Sequence, residues 1–346
     1  VLEIEVLLEM ILEMTGRVLG GVRSSSLILF DEETGRLQVK VHKGVQRNLV
    51  NKTIKIGEGI AGKVFERGQP LLITTPKSDD EMTDQVTNTS IKSSICVPLR
   101  AKENSIGVLA VSDKLSGAAF DENDLEMLST LGAQIAIAIH NAKLYEDLEA
   151  SYLAAVRALA NSLDAKDTYT RGHSERVALY SVAIGRRMNL NAEDIRTLQI
   201  GSLLHDIGKI GISEAIIRKP TRLSDDEYEL IKTHPVQGAS IIEPAKFLRT
   251  KIPLVKYHHE RYDGKGYPEG LVGEGIPLLA RIVCVADSYD AMTSKRAYRD
   301  NIGTDHAVQE LLKHSGTQFD PKVVGVFLEL LKDPHFLEEV AKTTVQ

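Results

Sequence analysis

Between Asp121 and Ala165 the chain has no proline and a single glycine, Gly132. Nothing in that stretch stops a helix, so it predicts one helix on the order of 60 Å long at 1.5 Å rise per residue. Such a rod outruns one ordinary core, and the 346 residues divide into an N-terminal segment, a connecting helix over 121–165 and a C-terminal segment. Along the helix, Leu128, Leu131, Ile135, Ala138, Ala142 and Tyr145, then Tyr152, Val156, Leu159 and Leu163, recur at alternating spacings of three and four. That is a heptad seam, interrupted at Glu149, and it predicts a homodimer paired through the connecting helix with help from contacts at both ends. The alternative is a helix packed against its own domains.

The flanks differ in period. Ile4, Leu7, Leu8, Ile11 and Leu12 give residues 1–20 one apolar helical face. Strand-like runs follow at 26–30 and 37–41, joined by the turn Asp31-Glu-Glu-Thr-Gly35 as a hairpin. A glycine-rich turn leads into a short helix over 56–65, and strand signals return at 71–74, 94–99 and 106–111. From 150 to 346 the pattern is helix after helix with no alternating strand, which predicts an all-α unit.

Composition narrows the partners. Forty-two Lys+Arg stand against 48 Asp+Glu, with 42% apolar residues, the profile of a globular protein and not of a nucleic-acid binder, so an anionic substrate must be caught by local charge. The two cysteines, Cys96 and Cys284, lie in apolar runs, which excludes a disulfide scaffold or CxxC site and fits a reducing cytoplasm. No apolar run is long enough to span a membrane, and no signal peptide is visible. Val1 stands within a helical pattern, which points to further sequence upstream.

Five histidines and two aspartates in the C-terminal half carry the chemistry: His173, His205, Asp206, His234, His258, His259 and Asp287. Their separations of 32, 29, 24 and 28 residues between successive groups are too wide for a zinc finger but suit side chains converging from successive helices. Mixed imidazole and carboxylate donors fit Fe, Mn, Zn or Ni, a shared carboxylate can bridge two ions, and the ligand count fits two. His42, His140, His306, His314 and His335 receive no role.

These residues lie in motifs that resemble an HD-GYP domain, a subgroup of the HD superfamily of metal phosphohydrolases, from about Tyr152 to Leu331. The motifs are Tyr169-Thr-Arg-Gly-His173-Ser-Glu-Arg-Val177, Leu204-His205-Asp206-Ile-Gly-Lys209, His234-Pro235, His258-His259-Glu260-Arg-Tyr-Asp263-Gly264-Lys-Gly266-Tyr267-Pro268 and Ala286-Asp287-Ser-Tyr-Asp290-Ala-Met-Thr-Ser-Lys295-Arg296-Ala-Tyr298-Arg299. The N-terminal half resembles a GAF domain through Gly57-Glu-Gly-Ile-Ala-Gly62, Ser94-Ile-Cys-Val-Pro98-Leu99, Gly107-Val-Leu-Ala-Val111 and Phe120-Asp-Glu-Asn-Asp124-Leu125. Asp113-Lys114 and Phe120 to Asp124 are imperfectly similar to a motif of cyclic-nucleotide-binding GAF domains; a dimerisation module without ligand fits equally.

The resemblance implies a multi-domain fold: an α/β GAF sensory domain over 1–142 with an antiparallel sheet flanked by helices, the connecting helix over 121–165, and an all-α HD-type bundle over 150–346. It implies cleavage of cyclic di-GMP to pGpG, and further to GMP, with a non-catalytic receptor or adaptor, or action on another cyclic dinucleotide, as alternatives. His173, His205, Asp206 and Asp287 match one metal, and Asp206, His234, His258 and His259 the other, iron ahead of manganese. Some members hold a third ion through a carboxylate where this chain has Tyr169, so two are expected. Asp206 and Lys209 match catalytic positions; Lys209, Gly266, Tyr267, Arg296 and Arg299 match substrate contacts. Glu260 and Asp263 read as groups that fix the loop or support the ligands. GGDEF-type or other signalling proteins are the implied partners.

Overall fold

The computed structural model describes residues 4–44, 50–74, 91–102, 104–166, 172–219, 221–294 and 303–344. The chain separates into two compact units, Val1–Glu149 and Ala150–Gln346.

The first unit begins with helix α1 (Ile4–Val18) and continues through strands β1 (Val22–Asp31), β2 (Arg36–Lys43) and β3 (Thr53–Ile54), helix α2 (Gly59–Arg67) and strands β4 (Leu71–Ile73), β5 (Ser94–Ala101) and β6 (Asn104–Lys114). The strands form one antiparallel sheet in the order β3-β2-β1-β6-β5-β4. The β1–β2 turn is held by Asp31, whose carboxylate accepts the backbone N–H groups of Glu33 and Thr34 at 2.9 and 3.2 Å. A register shift between Leu27 and Ile28 pairs Leu27 with Val41 and Ile28 with Val39. It thereby sends Val41 to one face of the sheet and Val39 to the other. One face buries Leu27, Ile95, Val97, Leu109 and Val111 against Leu8 and Leu12 of α1. The other packs Leu37, Val39 and Val108 on Val64 of α2.

Helix α3 (Glu122–Lys166) is continuous over 45 residues. Its expected seam is divided among several environments: Leu128 is buried in the first unit's core and Val156 in the second's, while Tyr145 and Leu159 are 65% and 56% exposed. Among the described residues, no helix is long and apolar enough to cross a membrane.

The second unit is helical, with α4 (His173–Arg187), α5 (Ala192–Leu204), α6 (Glu214–Ile217), α7 (Asp225–Ile231), α8 (His234–Ile242), α9 (Ile252–Tyr257), α10 (Leu278–Thr293), α11 (Thr304–Lys313), α12 (Pro321–Leu330) and α13 (Pro334–Thr344). Aromatic edges lock the helices that bear the site. Tyr180 of α4 meets Tyr289 of α10 at 5.5 Å and 84°, and Phe327 of α12 meets Tyr289 at 4.9 Å and 87°. Burying side chains of this size contributes about 1.5–3 kcal/mol each. The 3-10 turn Ile207–Gly211 lies directly on α8. A Cβ on Gly208 would stand 1.9 Å from the His234 carbonyl oxygen, so glycine there lets the Asp206 turn approach His234.

Candidate metal centre

Most of the cluster residues sit at helix ends, where the local chemistry fixes them, and Asp287 lies within α10. His205 and His258 follow the last residues of α5 and α9, and His234 lies three residues beyond the end of α7. A helix C-terminus leaves carbonyls without an intrahelical donor. His205 Nδ1 donates to the Ser202 carbonyl at 2.6 Å, His234 Nδ1 to Ile231 at 2.7 Å and His258 Nδ1 to Val255 at 2.7 Å. Since a carbonyl only accepts, each ring carries a proton on Nδ1 and turns Nε2 inward.

His173 opens α4 and is fixed by a carboxylate instead: its Nδ1 donates to Asp290 Oδ2 at 2.8 Å. Asp290, 1% exposed, also accepts from Arg176 at 2.6 and 3.0 Å. His173 and Arg176 share one face of α4, and Asp287 and Asp290 one face of α10, both at i,i+3. The supporting role of Asp290 and Arg176 escaped the sequence reading. The Asp-x-x-Asp and His-x-x-Arg spacings were its available signal.

Two donor groups converge. One atom each from Asp206, His234, His258 and His259 lies within 4.8 Å of the others, and the same holds for His173, His205 and Asp206. Asp287 joins the second group, with Oδ1 3.3 Å from His173 Nε2 and 4.0 Å from His205 Nε2. Asp206 belongs to both: Oδ1 is 3.2 Å from His234 Nε2 and Oδ2 is 3.4 Å from His205 Nε2. Lys209 donates to Asp206 Oδ2.

Two buried atoms, His205 Nε2 and Asp206 Oδ1, have no hydrogen-bond partner among the described residues. Such a group costs about 1–3 kcal/mol if left alone, and a cation bound in its donor group would satisfy each of them. Donors about 2.1 Å from a common ion lie roughly 3 to 4 Å apart, the spacing seen here. The residues fit a divalent metal.

The electrostatics agree. Burial would raise Asp206, but Lys209, His205 and His234 hold it well below the usual carboxylate range, and His173 does the same for Asp287. Burial, reinforced by neighbouring imidazoles, lowers His258 far below its ordinary value and His259 to about 3. Both histidines are thus neutral and ready to ligate. His173 differs: burial would lower it, yet Asp287 and Asp290 push it up to about 10, so metal binding at its Nε2 must expel a proton.

The loop beside the cluster is built on Glu260. This carboxylate, 2% exposed, accepts the backbone N–H groups of Glu269, Gly270 and Leu271 at 2.7, 3.0 and 3.1 Å. Asp263 is gripped by Arg261 at 3.0 and 2.8 Å. Gly264 takes φ 77°, in the left-handed region that favours glycine. Gly266 does not have positive φ; glycine is required there because a Cβ would lie 2.3–2.6 Å from the backbone of residues 259–261. Tyr267 rests its ring 5.0 Å from that of His259, tilted by 33°. Tyr169, Arg296 and Arg299 lie outside the described residues.

The HD domain family model matches residues 157–323, and the GAF domain model residues 1–140. Over 172 residues the chain is 38% identical to the cyclic di-GMP phosphodiesterase response regulator RpfG of Xanthomonas campestris, covering 49% of this chain and 46% of that protein. It is 32% identical over 210 residues to 3′3′-cGAMP-specific phosphodiesterase 2 of Vibrio cholerae, covering 60% and 40%. A cyclic di-GMP phosphodiesterase of Thermotoga maritima is 38% identical over 192 residues, covering 55% and 51%. The chain spans about half the length of the curated relatives it matches. The HD domain match falls on the helical unit that holds the His/Asp candidate site for a divalent metal, and the GAF domain match on the antiparallel sheet flanked by helices.

Proposed function

We propose that the chain is a metal-dependent phosphodiesterase that opens cyclic di-GMP to pGpG and cleaves it further to GMP. The observation that carries this reading is Asp206, one buried carboxylate shared by two converging donor groups, with one oxygen near each. In this reading His173, His205, Asp206 and Asp287 hold one ion and Asp206, His234, His258 and His259 the other. Iron is the first candidate and manganese the second. Tyr169, at the position where some family members carry a carboxylate, argues for two ions and against a third.

Ions so held supply Lewis-acid charge to the phosphoryl oxygens and lower the pKa of an attacking water. Asp206 fixes the spacing of the two groups, and Lys209 both anchors Asp206 and carries a proton for the departing ribose 3′ oxygen. Lys209, Arg296 and Arg299 draw the phosphate to a chain whose net charge is −6. Gly266 keeps the Tyr267 loop against residues 259–261, where it borders the substrate.

Relatives named cyclic di-GMP phosphodiesterases support this substrate, and the 3′3′-cGAMP-specific relative favours cyclic GMP-AMP as a second one. The setting we propose is cytoplasmic, with the GAF domain as sensor, a homodimer paired along 121–165 and GGDEF-type or other signalling proteins as partners. The test is chromatography of products from each cyclic dinucleotide, using protein loaded anaerobically with Fe(II) or Mn(II). We expect pGpG from cyclic di-GMP, lost with EDTA and restored by metal. A loaded protein inert to both dinucleotides defeats the reading.

A further inference from the structure

Two residues before His234, at the C-terminal end of α7, Lys232 holds its ammonium over two aromatic rings. It lies 4.9 Å from the centre of Tyr228 and 6.0 Å from that of Tyr267. Tyr267 in turn leans on His259 of the cluster. The Lys232 side chain is 30% exposed and Tyr228 is 48% exposed, so both stand at the rim. Lys232 donates at 2.6 Å to Glu229, whose own side chain is 67% exposed. An ion pair of that kind is screened by solvent and yields readily to a competing anion. Lys209, by contrast, is engaged with buried Asp206.

We propose that Lys232, steadied by Tyr228 and Tyr267, binds the second phosphate of a cyclic dinucleotide while the first is at the metal cluster. This rests on the phosphodiesterase reading above. A cyclic dinucleotide carries two phosphodiesters on one macrocycle, and only one is attacked in a given turnover. The other keeps its charge while losing water, and a buried or half-buried anion needs a cationic donor. Lys232 supplies the charge, exchanges Glu229 for the phosphate, and is held near the cluster by ring faces that attract its ammonium. The exposed Tyr228 ring adds a face on which a purine can stack. A cation contacting only the phosphate that does not react strengthens ground state and transition state alike, so it acts on KM and leaves kcat alone.

The test is K232Q in the metal-loaded full chain, with two substrates and one binding measurement. The substrates are cyclic di-GMP and bis(4-nitrophenyl) phosphate, a diester with a single phosphate. The binding measurement is calorimetric titration with the bis-phosphorothioate analogue of cyclic di-GMP. We expect KM for cyclic di-GMP and Kd for the analogue to rise about ten- to hundredfold, the loss of one charge-assisted hydrogen bond. We expect kcat to stay within about twofold and cleavage of the single-phosphate diester to be unchanged. Equal KM and Kd in K232Q and the unaltered chain overturn the proposal, as does an equal loss on both substrates. If neither substrate is cut, the hydrolytic reading fails while the analogue titration still decides Lys232; absence of analogue binding by the unaltered chain overturns both.

Discussion

The His173 imidazole is pushed to the alkaline side while His258 and His259 are pushed the other way, so the metal-free protein has opposing titrations. His173 has a folded pKa of about 10 against an ordinary 6.5. The stability it contributes is complete below about 6.5 and is lost as pH rises towards 10. His259 is lowered to about 3, so its neutral burial costs stability as pH falls from 6.5 towards that value, and His258 acts in the same direction. The EDTA-treated chain should therefore melt at its highest temperature near pH 6.5. Calorimetry between pH 6.5 and 9 isolates the His173 limb, because the buried cysteines contribute only above their ordinary value of 9. D290N removes one of the two carboxylates that raise His173 and should flatten that limb. In the same variant, metal affinity should drop about ten- to hundredfold, the usual cost of losing a ligand's hydrogen-bond partner. A limb and an affinity both unchanged in D290N would show that Asp290 does not position His173. The donor residues themselves could be read from the chain because imidazole and carboxylate announce their chemistry. Asp290 could not, since its partners Arg176 and His173 lie 114 and 117 residues away and only the fold joins them.

At the scale of elements, the position of the cluster depends on how helices stop. Three imidazoles are oriented by carbonyls left over at helix C-termini, three residues upstream in each case. The motifs single out the histidines that the fold brings together but not this device, because the periodicity of an apolar face carries no information about the last turn. The 260–271 loop likewise has little regular structure, and its order comes from one carboxylate receiving three N–H groups. E260Q keeps the shape and removes the charge, turning one acceptor into a donor that faces an N–H. We expect a loss of about 1–3 kcal/mol in unfolding free energy, read from denaturant melts, with metal content unchanged. A variant as stable as the parent would mean that the loop is held by other contacts. The need for glycine at 266 lies in backbone proximity, which a sequence cannot display.

For the molecule as a whole, period alone separated an antiparallel sheet with helices from an all-α unit, and the proline-free stretch foretold the helix between them. The seam on that helix was less decisive, because the same apolar residues serve each unit's own core: Leu128 the first, Val156 the second. A heptad pattern cannot distinguish a partner helix from the chain's own sheet or bundle. The apolar residues that the two cores leave exposed on α3 include Leu144, Tyr145 and Leu148 at 52%, 65% and 66% and Leu159 at 56%, and these are available for pairing. The proposed coupling of sensor to catalyst can be tested by removing residues 1–120. The second unit has its own core, including Val156 and Ala160, so the truncated chain should fold and keep its metal. If the GAF domain acts through the packing of two chains along α3, truncation should change both turnover and the oligomeric state seen by light scattering. If it is an independent passenger, kcat/KM and mass per particle will both match the full chain, and regulation through the helix is then ruled out.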